Sequence, residues 1–348
     1  MKIVVDNKIP FIKGEIEKLG STIVYLSAHN ITAEQVKDAD VLVIRTRTIC
    51  NKNLLDKSSV KFIATATIGY DHIDVDYCKD NGIEWRNAPG CNANSVRQYI
   101  LSTLLLIENK YKERLSSLTI GVVGVGHVGS RIAELADELG MRVLLCDPIR
   151  ANKEESFSHQ DLAVLAEQAD IITFHTPLTF EGIEPTYHLA DSSFFNKLKK
   201  NAILINTSRG EVVDGNLLKE ALSKSLIRDA VIDVWENEPN IDKELLDKVW
   251  ISTPHIAGYS ADGKAKATEM ALQAICSYFE ISGNISITPP DLENSTIVAS
   301  TMAEAILKIY NPLDDSKSLK ECSSSFEELR GNYHYRREQL AFTINIVD

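Results

Sequence analysis

Polar side chains that can bind anions or transfer protons follow several short apolar runs in the second half of the chain. In chain order these clusters are His175-Thr176-Pro177, Asn206-Thr207-Ser208-Arg209-Gly210, Asp233-Val234-Trp235-Glu236-Asn237-Glu238-Pro239 and Thr253-Pro254-His255-Ile256-Ala257-Gly258-Tyr259. Ligands of parallel sheets bind at the carboxyl ends of the strands, so Arg, Asp, Glu and His at several such ends indicate one converged site. Taken singly, each cluster fits an ordinary polar loop better.

A glycine-rich turn lies between an apolar run and an amphipathic helical pattern. Gly124, Gly126 and Gly129 give the spacing G-x-G-x-x-G. The first glycine permits a tight turn, the second lets backbone N–H groups approach a pyrophosphate, and the third lets helix and strand pack closely. The helix N-terminus adds unpaired donors and the positive end of a dipole. The motif alone is weak evidence, but strand, turn and helix together predict a dinucleotide-binding site.

Asp147 ends the next predicted strand, 18 residues after Gly129. This is close to the spacing at which an acidic residue binds the adenosine ribose hydroxyls. Because a carboxylate repels a 2′-phosphate, Asp147 favours NAD over NADP, while Arg150 nearby leaves NADP as an alternative.

Two strand ends near the N-terminus are rich in hydroxyl and guanidinium groups. One is Arg45-Thr46-Arg47-Thr48 and the other is Thr65-Ala66-Thr67-Ile68-Gly69. Guanidinium forks and short hydroxyl donors bind phosphate or carboxylate well, so these ends predict a substrate-anion site. The alternative is that the arginines are solvent-exposed charges at the edge of the sheet, and that the threonines are present because they favour β-strands.

Strand and helix patterns alternate through most of the chain, which predicts parallel sheets with helices on both faces. The predicted strands are residues 2–5, 23–26, 41–44, 61–64, 119–123, 143–146, 171–174, 202–205, 230–234, 249–251 and 341–347. The predicted helices are residues 11–19, 95–108, around 194–198, and 215–223. The C-terminal stretch of about 60 residues lacks this rhythm, and a segment so small is expected to pack on the main body or on a second subunit.

The composition limits the class of protein. The 348 residues carry a net charge of −12, and 44 % of them are hydrophobic. An acidic chain of this kind is not expected to bind nucleic acid broadly, and an anionic substrate needs a local basic site. The six cysteines are scattered along the chain and include no C-x-x-C pair. The sequence predicts neither a leader peptide nor an apolar run long enough to span a membrane. We therefore expect a soluble cytoplasmic protein with no membrane partner.

The stretches GVVGVGHVGS, HTPLT, INTSRGEVVD, DVWENEP and PHIAGYS resemble, in order, the signatures of the D-isomer-specific 2-hydroxyacid dehydrogenases. MKIVVDNKIP, ATATIGYDHID, APGCNA, LLCDP and FEELRGNYHYRRE further resemble one branch of that family, which acts on a phosphorylated sugar acid. The resemblance implies an α/β fold with two Rossmann/flavodoxin-like doubly wound parallel-sheet domains and a small C-terminal α+β dimerisation domain. The implied boundaries are 1–93 with 257–285 for the substrate-binding lid domain, 94–256 for the NAD-binding domain and 286–348 for the dimerisation domain.

The resemblance also implies a role for each matching residue, NAD as cofactor, a small phosphorylated sugar acid as substrate, and a homodimer. Arg209, Glu238 and His255 match the catalytic residues. The cofactor-binding set is Gly124, Gly126, His127, Val128, Gly129, Asp147, Thr176, Asp233 and Gly258, and the substrate-binding set is Arg45, Thr46, Thr67 and Tyr259. No histidine pairs with cysteine or carboxylate at metal-ligand spacing, so no metal is predicted.

The chain departs from the family pattern at a few places, and two other functions stay open. Thr46 stands where serine is frequent, Gln98 stands where an acidic residue is common, and the C-terminal domain is short. A further hypothesis is that Arg336 or Arg337 reaches an active site. The alternatives are another 2-hydroxyacid dehydrogenase, such as one for 3-phosphoglycerate, and an NADH-sensing binding protein.

Overall fold

The computed structural model describes residues 1–19, 22–283 and 285–347, in which strands and helices alternate along most of the chain. The strands are β1 (Lys2–Asp6), β2 (Thr22–Leu26), β3 (Val41–Ile44), β4 (Phe62–Thr65), β5 (Glu84–Arg86), β6 (Thr119–Val123), β7 (Arg142–Cys146), β8 (Ile171–Phe174), β9 (Ile203–Asn206), β10 (Asp229–Ile232), β11 (Ile251–Ser252), β12 (Thr296–Ala299) and β13 (Thr343–Ile346). The α-helices are α1 (Ala33–Val36), α2 (Lys52–Leu55), α3 (Val75–Asp80), α4 (Ala93–Tyr111), α5 (His127–Glu138), α6 (Pro148–Ala151), α7 (Leu162–Gln168), α8 (Ser192–Lys197), α9 (Gly215–Ser223), α10 (Lys243–Lys248), α11 (Ala261–Tyr278), α12 (Met302–Ile309), α13 (Pro312–Glu321) and α14 (Phe326–Gly331).

The first compact unit comprises Met1–Asn92 and Ser260–Glu293. Its sheet is parallel throughout and has the order β2-β1-β3-β4-β5. Successive residues of a strand point to opposite faces. Accordingly Ile3 and Val5 pack in one core, which α11 completes, while Val4 packs in the other. Burial on both faces explains why these strands are continuous apolar runs rather than alternating ones.

The second unit comprises Ala93–Tyr259 and Asn294–Asp348. Its main sheet is also parallel, with the order β11-β10-β9-β8-β6-β7. Ile171 and Ile203 face the core that contains α4, and Ile172 and Leu204 face the core on the opposite side. The two sheets confirm the α/β fold class with doubly wound parallel sheets. In the part of the chain that the structure describes, no helix is sufficiently long and apolar to traverse a bilayer.

Several elements differ from the sequence predictions. The predicted helix at 11–19 is wrong, because Phe11 has φ +59° and Gly14 has φ +86°, which leaves a 3-10 turn at Ile16–Leu19. Ile12 and Ile16 are nevertheless buried, so the apolar spacing reflects packing of turns rather than an α-helix. The long helix α11 and the short strand β5 were not predicted. The polar run at 314–318 lies within α13. Asn311 caps the N-terminus of this helix, because its side chain accepts from the Leu313 N–H.

The C-terminal residues pack as part of the second unit. The strands β12 and β13 pair in parallel, α12 packs on them, and α13 packs on β11 and α4. The polar residue Ser316 contributes to this packing, because its hydroxyl accepts from the Ser252 N–H at 3.0 Å. A buried serine pair of this kind ties α13 to the end of the main sheet.

Arg336 fixes the C-terminal segment in place. It is 8 % exposed, and its guanidinium lies 4.0 Å from the centre of the Tyr310 ring. All five guanidinium N–H groups donate within the unit, to Gln98 Oε1 (3.1 Å), the Tyr333 hydroxyl (3.2 Å) and the carbonyl oxygens of Ser95 (3.1 Å), Ile256 (3.1 Å) and Ala257 (2.6 Å). Since a guanidinium has five donors, none is left for a substrate. Arg336 therefore supports the backbone next to His255 instead of binding a substrate, and the hypothesis that Arg337 reaches an active site stays a prediction.

We expect Arg336→Met to lower the free energy of unfolding by about 3 kcal/mol or more, because three buried carbonyl groups lose their donors. Urea unfolding followed by circular dichroism measures the change. Lys317→Met on α13 is the matched control, since the Lys317 side chain is 75 % exposed. Equal unfolding free energies for the two variants would contradict the structural role of Arg336.

Candidate active site

The carboxyl edge of the second unit's sheet brings most of the predicted site residues into one row. Because the strands are parallel, the loops that follow them emerge at the same edge. In the order of the strands, the row is His255 after β11, Asp233 and Glu238 after β10, Arg209 after β9, Thr176 after β8, Gly124 after β6 and Asp147 after β7.

Two of the three glycines in the turn are required by the protein's own packing. At Gly124, where φ is +82°, a Cβ would lie 2.8 Å from Thr176 Cγ2, and at Gly129 it would lie 1.9 Å from the Gly124 carbonyl oxygen. At Gly126, by contrast, a Cβ would meet no described atom within 4 Å. Gly126 is the exposed N-cap of α5, so its backbone is open to the approach of a ligand. His127 and Val128 follow in the first turn of α5, whose N–H groups lack intrahelical partners.

Asp147 is held in a fixed orientation by backbone donors. Its Oδ2 accepts from the Val125 N–H at 2.9 Å and its Oδ1 accepts from the Arg150 N–H at 2.8 Å. Each oxygen keeps further acceptor capacity for ribose hydroxyls. The Arg150 guanidinium donates to Glu154 at 2.9 Å and to the Val125 carbonyl at 3.0 Å. The ion pair with Glu154 offsets the charge of Arg150, a cation that could have favoured a 2′-phosphate.

Gly124, Asp147 and Thr176 line one cavity of about 330 Å³. The Thr176 hydroxyl oxygen is buried and has no hydrogen-bond partner among the residues that the structure describes. A buried unsatisfied hydroxyl costs about 1–3 kcal/mol, which a ligand with a polar group would offset. Leu162 and Leu189 add apolar walls. These features fit the adenosine part of NAD: an apolar slot, a carboxylate for the ribose and an open helix N-terminus for the phosphates.

Asp233 holds the loop that carries His255. It is 1 % exposed, and its carboxylate accepts from the Thr253 hydroxyl (2.6 Å) and from the N–H groups of Ile256 (2.8 Å) and Ala257 (3.0 Å). Burial raises the pKa of Asp233, while the charge of His255 and these hydrogen bonds oppose the rise. The bonds secure His255 at φ +58°, a left-handed conformation that non-glycine residues adopt infrequently.

Glu238 and His255 form a hydrogen-bonded pair. Glu238 Oε2 lies 2.8 Å from His255 Nδ1, and Glu238 Oε1 accepts from the Trp235 N–H at 2.9 Å. Burial alone would raise the pKa of Glu238, but the hydrogen bond and charge of His255, the Trp235 N–H and the charge of Arg330 lower it below its usual value. An ionised carboxylate can only accept, so Nδ1 carries the hydrogen and Nε2 is the atom that can take up a proton.

Arg209 lies on a loop packed tightly against the loop of Glu238. A Cβ at Gly210 would lie 2.0 Å from the Trp235 carbonyl carbon, so only glycine permits this contact. The Asn206 side chain, at the end of β9, donates to the Arg209 carbonyl at 2.8 Å and so holds the loop on the strand that precedes it. The guanidinium donates to the Ser208 carbonyl at 2.8 Å. The catalytic assignment of Arg209 stays a prediction.

The predicted substrate residues are divided between the two units. In the first unit, Thr46 and Thr67 follow the paired ends of β3 and β4, at Ile44 and Thr65. Arg45 donates to the fully buried Asp6 through two bonds of 2.9 and 3.3 Å, so the guanidinium is oriented by the protein. In the second unit, Gly258 and Tyr259 follow His255 directly. These positions leave the substrate roles as predictions.

Sequence reasoning missed two residues that support this site, His159 and Arg330, and it named Arg336 without its role in holding the loop. His159 Nδ1 accepts from the Asp147 N–H at 3.1 Å and lines the cavity. Arg336 donates to the carbonyls of the His255 loop, and Arg330 lies beside Glu238. Each contact joins distant parts of the sequence, so no local pattern could have indicated it. The imidazole of His175 lies within hydrogen-bond distance of the hydroxyls of Thr173 and Thr207, and burial lowers its pKa to about 3.

Comparisons with known proteins agree with this geometry. The family model described as "D-isomer specific 2-hydroxyacid dehydrogenase, NAD binding domain" matches residues 102–257. The erythronate-4-phosphate dehydrogenase of Bacteroides thetaiotaomicron is 54 % identical over 344 residues, which cover 99 % of each chain. That of Porphyromonas gingivalis is 41 % identical over 352 residues, covering 99 % of this chain and 95 % of the relative.

Two solved structures resemble the fold. The D-lactate dehydrogenase of Aquifex aeolicus, complexed with NAD and lactic acid, has a TM-score of 0.65 and 26 % identity, covering 83 % of this chain and 100 % of that one. The NAD⁺-bound 3-phosphoglycerate dehydrogenase of Entamoeba histolytica has a TM-score of 0.67 and 26 % identity, covering 84 % of this chain and 99 % of that one. Both relatives bind NAD in the solved complexes, which agrees with the cofactor inferred from the turn.

Alanine substitution should separate the two kinds of glycine in the turn. We expect Gly129→Ala to lower the melting temperature, because the new methyl group would overlap the Gly124 carbonyl. Gly126→Ala should leave the melting temperature unchanged but weaken NADH binding about tenfold or more, because the methyl group obstructs the pyrophosphate. Scanning fluorimetry and NADH fluorescence titration measure the two effects. Normal NADH affinity in a folded Gly126→Ala protein would contradict this placement of the cofactor.

Proposed function

Because the chain belongs to the D-isomer-specific 2-hydroxyacid dehydrogenases, and within them to the erythronate-4-phosphate dehydrogenases, we propose that it oxidises 4-phospho-D-erythronate with NAD. The product is 2-oxo-3-hydroxy-4-phosphobutanoate, and the reaction serves pyridoxal 5′-phosphate biosynthesis. The observation that carries the proposal is the Glu238–His255 pair, which lies on the same sheet edge as the cofactor cavity.

His255 is the general base of the proposed reaction. Oxidation of the 2-hydroxy acid removes a proton from the hydroxyl and a hydride from the carbon, and bound NAD supplies the acceptor for the hydride. His255 Nε2 takes the proton, since imidazole titrates near neutrality and Nδ1 is bonded to Glu238. Glu238 fixes the tautomer and stabilises the imidazolium as it forms.

Arg209 binds the substrate carboxylate in this proposal. A guanidinium can make two parallel hydrogen bonds to a carboxylate, which orients the reacting carbon as well as holding the substrate. The same cation stabilises the developing 2-oxo acid. The close packing of Gly210 on Trp235 supports this role, because it secures the Arg209 loop against the Glu238 loop.

In this proposal the 4-phosphate of the substrate binds Arg45, Thr46 and Thr67. Tyr259 also binds the substrate. The support from the first unit is that Thr46 and Thr67 follow adjacent paired strands, and that Asp6 orients Arg45. Threonine hydroxyls and a guanidinium are suitable donors for phosphate. Such a site distinguishes 4-phospho-D-erythronate from unphosphorylated 2-hydroxy acids.

We further propose a cytoplasmic homodimer whose C-terminal residues form the dimerisation domain. In its support, β12 and β13 expose Val298 (50 %) and Ile346 (49 %), and the adjacent Leu340 is 94 % exposed. Apolar surface of this kind, on a two-stranded sheet, is typical of a subunit interface. The cytoplasm supplies NAD and keeps thiols reduced, which agrees with the free state of the cysteines.

His255→Asn should lower kcat by about 10²- to 10⁴-fold, the range for loss of a general base, while NADH binding persists. NADH absorbance with 4-phospho-D-erythronate measures turnover, and NADH fluorescence measures binding. His29→Asn, at an exposed histidine in the 3-10 turn Ala28–Asn30, is the control and should keep wild-type activity. Wild-type kcat in His255→Asn would refute the proposed base.

The double variant Thr46→Val, Thr67→Val should raise KM for 4-phospho-D-erythronate about tenfold, because two hydroxyl groups are lost from the proposed phosphate site. Its KM for NAD should be unchanged, and its preference over unphosphorylated erythronate should fall. Thr22→Val, at an exposed threonine that begins β2 at the amino edge of the sheet, is the matched control. An unchanged preference for the phosphorylated substrate would count against the assignment.

A further inference from the structure

A guanidinium from the C-terminal residues lies beside the Glu238–His255 pair. Arg330 Nη1 is 3.6 Å from Glu238 Oε2, the same oxygen that lies 2.8 Å from His255 Nδ1. Arg330 Nε also donates to the Tyr259 hydroxyl at 3.2 Å. One carboxylate oxygen is therefore shared between an imidazole and a guanidinium.

The fold holds Arg330 in this position. It lies on α14, which Phe326 anchors in the core at 1 % exposure, and the Arg330 side chain is 22 % exposed. The Tyr259 ring packs edge-on against Tyr333 and Tyr335, with centroids 6.1 and 6.2 Å away. Arg330 is thus held by the packing of α14 and by the packed Tyr259 ring to which it donates.

We propose that Arg330 is a positioning residue for the dehydrogenase reaction, which holds the Tyr259 hydroxyl and offsets the Glu238 charge that His255 experiences. The inference rests on the proposed function for its kinetic consequences. Glu238 attracts the proton of an imidazolium, and a second cation on the same oxygen weakens that attraction. Arg330 therefore reduces the attraction that Glu238 exerts on a proton at His255.

The other charged and titratable groups around the pair do not replace Arg330. Among the described residues, the neighbouring loops of the sheet edge and the C-terminal segment carry Arg209, Asp233, Tyr259, Glu327, Tyr333, Tyr335 and Arg336. Asp233 is occupied by Thr253 and two backbone N–H groups, and Arg336 by three carbonyls, Gln98 and Tyr333. Glu327 lies 3.9 Å from Arg330 and partly balances its charge. Burial alone would lower the pKa of Arg330, but Tyr259, Glu238 and Glu327 keep it raised, so the cation is permanent.

Two substitutions separate the charge of Arg330 from its hydrogen bond. Arg330→Met removes both, so the acid limb of the kcat/KM profile should move to higher pH by about 0.5 to 1 unit. The KM for 4-phospho-D-erythronate should also rise several-fold, since the Tyr259 hydroxyl is released. Arg330→Lys keeps the charge, so its acid limb should coincide with that of the wild type while the KM still rises.

Arg228→Met is the matched control. Arg228 precedes β10 at the opposite, amino edge of the same sheet, pairs with Glu113 at 2.8 Å and is 27 % exposed, much like Arg330. Its loss removes one positive charge from the same unit without touching the pair. The control profile should coincide with that of the wild type. Equal acid limbs for Arg330→Met and the wild type would overturn the inference, as would equal shifts for Arg330→Met and Arg228→Met.

A second readout needs neither substrate nor turnover. Diethyl pyrocarbonate modifies neutral imidazole, so the pH dependence of His255 modification, followed by mass spectrometry of its peptide, reports its protonation directly. The midpoint should rise in Arg330→Met and return to the wild-type position in Arg330→Lys. If the wild type failed to reduce NAD with 4-phospho-D-erythronate, the proposed function would fall, whereas unchanged modification midpoints would refute the role of Arg330 itself.

Discussion

The active-site loop depends on two buried charges that bind the backbone N–H and C=O groups of the same two residues. The Asp233 carboxylate accepts from the N–H groups of Ile256 and Ala257, and the Arg336 guanidinium donates to their carbonyl oxygens. Each charge is buried, and each is compensated by hydrogen bonds to backbone dipoles rather than by direct pairing with the other. These contacts of Asp233 and Arg336 explain how His255 is kept in a left-handed conformation, which would relax in a loosely held loop.

The parts of the molecule that local sequence determines were the predictable ones. The strands Thr119–Val123 and Ile171–Phe174 and the helix Gly215–Ser223 have the bounds that the sequence predicts. Strands buried on both faces are read from their apolar runs, and a parallel sheet then places the residues after them on one edge. The Glu238–His255 contact was predictable in this way. The resemblance to the dehydrogenase family identifies the two residues, and the order of strands in the sheet brings their loops together.

The features that sequence could not give are those set by contacts between distant residues. The apolar spacing at 11–19 satisfied a helical pattern, yet tertiary packing of Ile12 and Ile16 is achieved there by turns. Arg336 meets Gln98, 238 positions away, and Arg330 meets Tyr259, 71 positions away. Neither arginine stands in a motif whose spacing indicates a partner. A neutral Gln98 suits its place, because its amide oxygen can accept from Arg336 without adding another buried charge.

The balance of charge around His255 explains why a third ionic group belongs there. With a neutral imidazole, Glu238 and Arg330 carry opposite charges, so the group as a whole starts near zero and becomes positive when His255 takes up a proton. Without Arg330 the same group would start negative and would repel the carboxylate of an acidic substrate. The chain's net charge of −12 offers no compensation, but surface charges beyond about 8 Å are largely screened at physiological ionic strength. Attraction of an anionic substrate is therefore a local property, and at this sheet edge it depends on which cations lie within a few ångströms of Glu238 and His255.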